Sequence, residues 1–300
     1  MFEYLLAQLL NGISVGVIYA LIAVGLTIVF SILKIVNFAH GEFYMIGGYF
    51  SYFAITLAGA TPLLGIPLAM LGSALLAVLF ERTMLTPLFN PATERKGDYG
   101  VLVTFGLSIL LRNLAIITFG PFPLRPPSVW HGVLQWEGIV VTHDRLVAVM
   151  IGILMFAALM YFLHRTAWGQ ALSAVSQSRD SAAIVGINAR LVYTMAFGLG
   201  GALAGGAGAL VAPIYSLSPS MGLQPDIQAF AVVVLGGMGS VAGSLIAGLL
   251  IGISESLFTA FFPDPTLGLA YASAFSLLLM MIVLLVRPNG ILGRTHTAME

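Results

Sequence analysis

Asn37, His40 and Glu42 are the residues of this chain whose types and spacing could do chemistry. They stand in Val36-Asn37-Phe38-Ala39-His40-Gly41-Glu42-Phe43-Tyr44, between two apolar runs. A carboxylate within hydrocarbon is costly unless it faces water or a partner. Gly41, Gly47 and Gly48 permit a helix break there, and broken helices line cavities in transporters. One reading is therefore a polar kink facing a pathway, lined by Asn37, Phe38, His40, Gly41 and Glu42. The other is a short solvated turn following Lys34. His40 and Glu42 offer only two ligands of a metal site with no third in view. They are also the whole support for an intramembrane hydrolase, which is discounted.

Asp226 and Glu255 are isolated carboxylates later in the chain. Either could take a substrate amine or a coupling proton. Asp226 follows Pro225, where a helix cap belongs, and is expected to cap that helix. Glu255 is expected to pack structurally. Arg112 interrupts an apolar run and is expected to face the bundle interior or to snorkel. No GxxxxGK[ST] motif occurs, and neither lysine precedes Ser or Thr, so no P-loop holds ATP in this chain. There is no cysteine and hence no thiolate chemistry.

The elements that must position these groups are membrane helices. The 300 residues are 59% hydrophobic and 8% charged, against about 25% charged in a soluble domain. Net charge is zero, which argues against a nucleic-acid partner. The expected fold is all-α and polytopic: one permease domain over 1–300 with about eight membrane helices, one broken and one re-entrant. The spans expected are Tyr4–Leu33, Met45–Leu57, Leu63–Phe80, Tyr99–Phe119, Leu146–Leu163, Leu191–Ala212, Ser240–Phe262 and Thr266–Val286. Asp226–Leu235 is too short to cross. It leads to a turn at Gly236, Gly237 and Gly239. Pro213 is expected to end the sixth span, and 120–145 to form a long outer loop with Trp130 and Trp136 at the interface.

Basic residues orient the chain. With the N-terminus outside, Lys34, Arg82, Arg95, Lys96, Arg165, Arg179, Arg190, Arg287 and Arg294 fall inside, and Arg125 and Arg145 outside. Nine against two is a strong bias. The inner loop 164–190 carries a helix signal. Asp180 reads as its N-cap and Gly186 as its left-handed stop, around Ser181-Ala182-Ala183-Ile184-Val185. So short a helix needs something to pack on. The choice lies between a docking helix for a cytoplasmic partner, using Ala182, Ala183 and Val185, and a loop helix lying on its own protein. Gly201/Gly205 and Gly239/Gly243 have GxxxG spacing, expected to bring helices close.

These motifs together resemble the LivH-type permeases, the membrane subunits of ABC importers for branched-chain amino acids. VNFAHGEFYMIG at 36–47, TAWGQALSAVSQSRDSAAIVGIN at 166–188, LGGMGSVAGSLIAG at 235–248 and RPNGILGR at 287–294 match in order, over essentially the whole chain. The 180–186 segment also resembles the EAA loop of importers, with Ser181 in place of its acidic residue and closer glycine spacing. The resemblance implies transport of branched-chain or other hydrophobic amino acids across the bacterial inner membrane, by a subunit that is not an enzyme. It implies a second related permease, two cytoplasmic ATP-binding subunits that carry ATP and Mg, and a periplasmic solute-binding protein. No cofactor or metal is expected in this chain. A channel or gradient-driven carrier for a small polar solute such as urea or an amide is the alternative.

Overall fold

The computed structural model describes residues 2–89, 95–136 and 139–293. Among them, helix α1 (Phe2–Leu33) is 32 residues long, or about 48 Å at 1.5 Å per residue. It is followed by α2 (His40–Thr56), α3 (Pro62–Met84) and α4 (Lys96–Phe119). Then come an outer hairpin of β1 (Val133–Trp136) and β2 (Ile139–Thr142), and α5 (His143–Arg165). Two short helices, α6 (Ala167–Gln177) and α7 (Arg179–Ile184), precede α8 (Ala189–Tyr215). The chain closes with α9 (Leu223–Gly236), α10 (Val241–Phe261) and α11 (Pro265–Val286). Seven of these helices are long and apolar enough to span a membrane; α2 and α9 are shorter. The other expected span, Met45–Leu57, falls on α2, which at 17 residues is not among the seven.

Several boundaries differ from expectation. Helix α8 runs through Pro213 to Tyr215. Packing against its neighbours in the bundle carries the helix past a residue that would end an isolated one. The outer segment is not wholly irregular, because β1 and β2 pair antiparallel with Val133 opposite Thr142. The inner loop is likewise two helices. Arg294 lies outside the described residues.

Helices α1 and α8 form the mostly buried centre, with α4, α5 and α11 on the rim. The most extensive packing is α1 on α10 and α3 on α8. Small residues make these contacts close. Gly12 and Gly16 lie on the backbone of Ile253 and Leu249, and Gly248 and Gly252 on Ala20 and Gly16. Gly201 and Gly205 take Ala77 and Ser73 of α3, and Gly205 also meets Gly47 of α2. The GxxxG reading therefore holds for Gly201 and Gly205. Gly239 instead sits in a turn with φ +94°, and Gly243 packs on Gly236.

The chain uses one plan twice, in opposite directions. A long helix ends at a non-glycine residue in the left-handed region, Lys34 after α1 (φ 56°) and Ser216 after α8 (φ 77°). An irregular stretch then runs back into the bundle, and a short helix starts inside it. His40, the first residue of α2, bonds the carbonyl of Ile22, eleven residues back from the end of α1, which is roughly 16 Å deep. Helix α9 starts beside it: a Cβ on either Gly41 or Gly222 would collide with the other's carbonyl. Helix α2 then runs outward and α9 inward. Inverted repeats with discontinuous helices are a transporter architecture.

Helix α9 ends at the inner face. The turn at Gly237, which needs its positive φ of 99°, is capped by the tail. Ile291 N–H donates to Leu235 O and Leu292 N–H to Gly236 O. Gly239 lies near Ser31, level with the end of α1. This segment is thus a broken crossing rather than a dip. Lys34, Arg82, Lys96, Arg190 and Arg287 share this end, because Tyr99 bonds Met84 O, Thr194 bonds Glu81 and Gly100 packs on Ile35. Arg145, bonded to Asn11 and lying over the Tyr215 ring, marks the other end.

The chain lacks cysteine, so orientation can be tested directly. His131→Cys and Gln177→Cys, both at exposed positions, are expected to react with an impermeant maleimide from opposite sides of sealed vesicles. Labelling of both from one side would refute the orientation.

Candidate functional site

The irregular stretch between α1 and α2 is held by side chains. Asn37 Oδ1 accepts from Ala39 N–H at 3.1 Å. Thr104 Oγ1 on α4 accepts from Phe38 N–H at 3.2 Å and lies 3.3 Å from Val36 O. His40 Nε2 donates to Ile22 O at 2.9 Å. Asn37 and His40 have no exposed surface and Glu42 has 2%, so the solvated turn is excluded. Asn37 and His40 are sealed within this chain as pins of the break. Phe38 is exposed at its edge, its ring against Phe105 and Phe230.

Glu42 is a charge partner. Its Oε1 lies 2.7 Å from Arg112 Nη2 and accepts from Ser108 Oγ at 2.9 Å. Arg112 therefore points inward from α4, with its side chain 26% exposed. Asp226 corrects the sequence reading: it is not the N-cap of its own helix, which starts at Leu223 after Gly222. Its Oδ1 accepts from Gly41 N–H at 3.1 Å and so caps α2. Positively polarised N–H groups at a helix start favour a carboxylate there. Glu255 is structural as expected, taking Ser276 Oγ from α11.

Buried side-chain polar atoms without a partner concentrate here. Among the described residues they are Asn37 Nδ2, His40 Nδ1, Glu42 Oε2, Arg112 Nε and both amide atoms of Gln228, with Tyr49 Oη the sole other. The sequence carried a usable hint of the Glu42–Arg112 pair, since each is a lone charge inside an apolar run. Nothing in it marked Thr104, Ser108 or Gln228.

At the inner face, Ser178 and not Asp180 is the N-cap of α7, its Oγ accepting from Ser181 N–H at 3.2 Å. Asp180 falls in the first turn, where its charge suits the helix dipole. Gly186 is left-handed as expected, φ 82°, and closes the helix through Gly186 N–H to Ala183 O and Ile187 N–H to Ala182 O. Ala182 is buried against this chain, while Ser181, Ala183, Ile184 and Val185 are exposed. The free apolar face is therefore Ile184, 87% exposed, with Val185 and Ala183.

Residues 8–284 match the family model described as the permease component of branched-chain amino acid transport systems. The chain is 34% identical to the high-affinity branched-chain amino acid transport system permease protein LivH of Escherichia coli, over 98% of this chain and 97% of that one. It is 33% identical to BraD of Pseudomonas aeruginosa, over 96% of both. It is also 26% identical to LivM of E. coli, covering 96% of this chain and 70% of LivM. Among solved structures, PsaBC from Streptococcus pneumoniae in complex with Fab shares the fold, with a TM-score of 0.52 and 10% identity over 95% of this chain and 92% of that one.

Removing one partner of a buried ion pair strands the other. Glu42→Gln and Arg112→Gln are each expected to lower stability in detergent denaturation. The double variant should lose less than their sum, with a coupling of about 1–3 kcal/mol. Additive losses would mean that the two charges do not act as a pair.

Proposed function

The chain belongs to the family of permease components of branched-chain amino acid transport systems, and we infer that it is the membrane-spanning subunit of an ATP-driven importer for branched-chain or other hydrophobic amino acids. The observation that carries this is the nearly full-length match to LivH and BraD. It is a multi-pass membrane protein and a transport subunit rather than an enzyme. No observation favours a channel or gradient-driven carrier. We place it in the bacterial inner membrane.

A second permease completes the assembly. E. coli has both LivH and LivM, and this chain is similar to both. Two cytoplasmic ATP-binding subunits supply ATP and Mg, and a periplasmic solute-binding protein delivers the amino acid. Helix α7 is the docking element for an ATPase. Its exposed Ile184 and Val185 project from the inner end, where a soluble partner would bury them. The break at Asn37–Glu42 belongs to the translocation pathway, with Phe38 at its exposed edge.

The assembled complex in vesicles is expected to accumulate leucine only with internal ATP and external loaded binding protein. Accumulation without ATP would refute the reading. Ile184→Asp, at a position exposed in this chain, should leave membrane insertion normal. A carboxylate desolvated at the ATPase contact is costly, so complex recovery and transport should fall roughly tenfold or more. Normal recovery and uptake would remove α7 from the docking role.

A further inference from the structure

Three charged groups meet within the span where α2 and α9 begin. Glu42 holds Arg112 at 2.7 Å, and Asp226 accepts from the N–H of Gly41, the residue before Glu42. The cluster consists of two carboxyl groups and one guanidinium. Its donors and acceptors are also not used up. Arg112 spends Nη2 on Glu42 and Ser108, while its Nε and Glu42 Oε2 have no partner. Asp226 spends one oxygen on Gly41 N–H and is only half-buried.

The cluster also has an open side. Arg112 is 26% exposed, seven residues from the outer end of α4 and so roughly 10 Å inside it. A guanidinium at that depth does not face lipid cheaply; it faces water or protein. Ile227, one residue after Asp226, is 51% exposed beside it.

We propose that Arg112, Asp226 and Glu42 form a subsite for the charged end of a zwitterionic amino acid in transit. The guanidinium of Arg112 takes the carboxylate through Nη1, while Nη2 stays on Glu42 and Ser108. The free oxygen of Asp226 takes the ammonium. Glu42 keeps Arg112 aimed, and the start of α2 holds Asp226 in place through Gly41 N–H. An ion crossing hydrocarbon needs its hydration replaced by such groups. The apolar side chain of the solute is left to the Phe38 edge. This assignment rests on the importer reading above.

The test measures leucine binding to the detergent-purified assembly of permeases and ATPases without the binding protein. Saturable binding is expected, weakened at least roughly tenfold by Asp226→Asn and by Arg112→Gln, and less by Arg112→Lys. Isoamylamine and 4-methylvalerate, each carrying one of leucine's two charges, should compete poorly. Wild-type affinity in both neutral variants would overturn the subsite, as would competition by isoamylamine equal to that of leucine. A second arm does not disturb the ion pair. Ile227→Cys should react with a small water-soluble thiol reagent, and leucine should slow that reaction. Absence of labelling, or labelling that leucine does not slow, would overturn it too. A wild-type assembly that hydrolyses ATP but accumulates no leucine would instead sink the importer reading.

Discussion

Backbone N–H and C=O groups in hydrocarbon must be paired within the protein, at a cost of several kcal/mol each when they are not. This chain breaks its helices twice inside the span, and much of its polar inventory is committed to that constraint. The first break takes Asn37, His40 and Thr104 to pair the backbone at Ala39, Ile22 and Phe38. Asp226, from the second break, pairs Gly41 of the first. The two breaks are therefore not independent. Each short helix starts against the other, and the carboxylate at one start satisfies the N–H at the other.

The glycines follow from the same geometry. Two helix starts can share one carboxylate only if their backbones touch, and Gly41 against Gly222 is that contact. Keeping α2 in place then requires its backbone to run along α8, where Gly47 meets Gly205 and Gly208 meets Tyr44. A side chain at any of these points would push α2 away and pull Gly41 from Asp226. In membranes, helix association rests on such close packing rather than on hydrophobic burial. The glycine tract of α8 and the polar motif of α2 thus serve one junction.

Much of the fold was legible in sequence because hydrocarbon imposes length and composition on each span independently of its neighbours. The seven long helices and the inside bias of basic residues needed only local windows. The glycine turn at 236–239 was legible for the same reason. Relations between distant segments were not. Asp226 was read as a local cap because Pro225 precedes it, yet its partner is Gly41, 185 positions away. Ser178 displaces Asp180 as the cap because the helix already starts at Arg179, so it is the Ser181 N–H that needs a partner, and Ser178 Oγ supplies it. Glu42 and Arg112 were each visible as costly charges. That each is the other's remedy depends on α4 crossing beside the start of α2, which neither local pattern states.

One more relation appears only in three dimensions, and it links the inner face to the break. Helix α7 ends at Gly186, and Asn188 caps α8 directly after it, accepting from Arg190 and Leu191 N–H. Arg179 of the α7 segment lies over the Tyr193 ring of α8, and Thr194 bonds Glu81 at the inner end of α3. Helix α8 then continues unbroken to Ser216, where the second irregular stretch begins. The exposed Ile184 and Val185 therefore join, through Gly186 and Asn188, the helix that carries Gly205, Gly208 and the approach to Gly222. With backbone contacts this close, α8 cannot shift far along its axis without disturbing the α2 start. The separation between the exposed face of α7 and the charged cluster is spanned by one helix, so a displacement at either end needs no chain of loose side chains to reach the other.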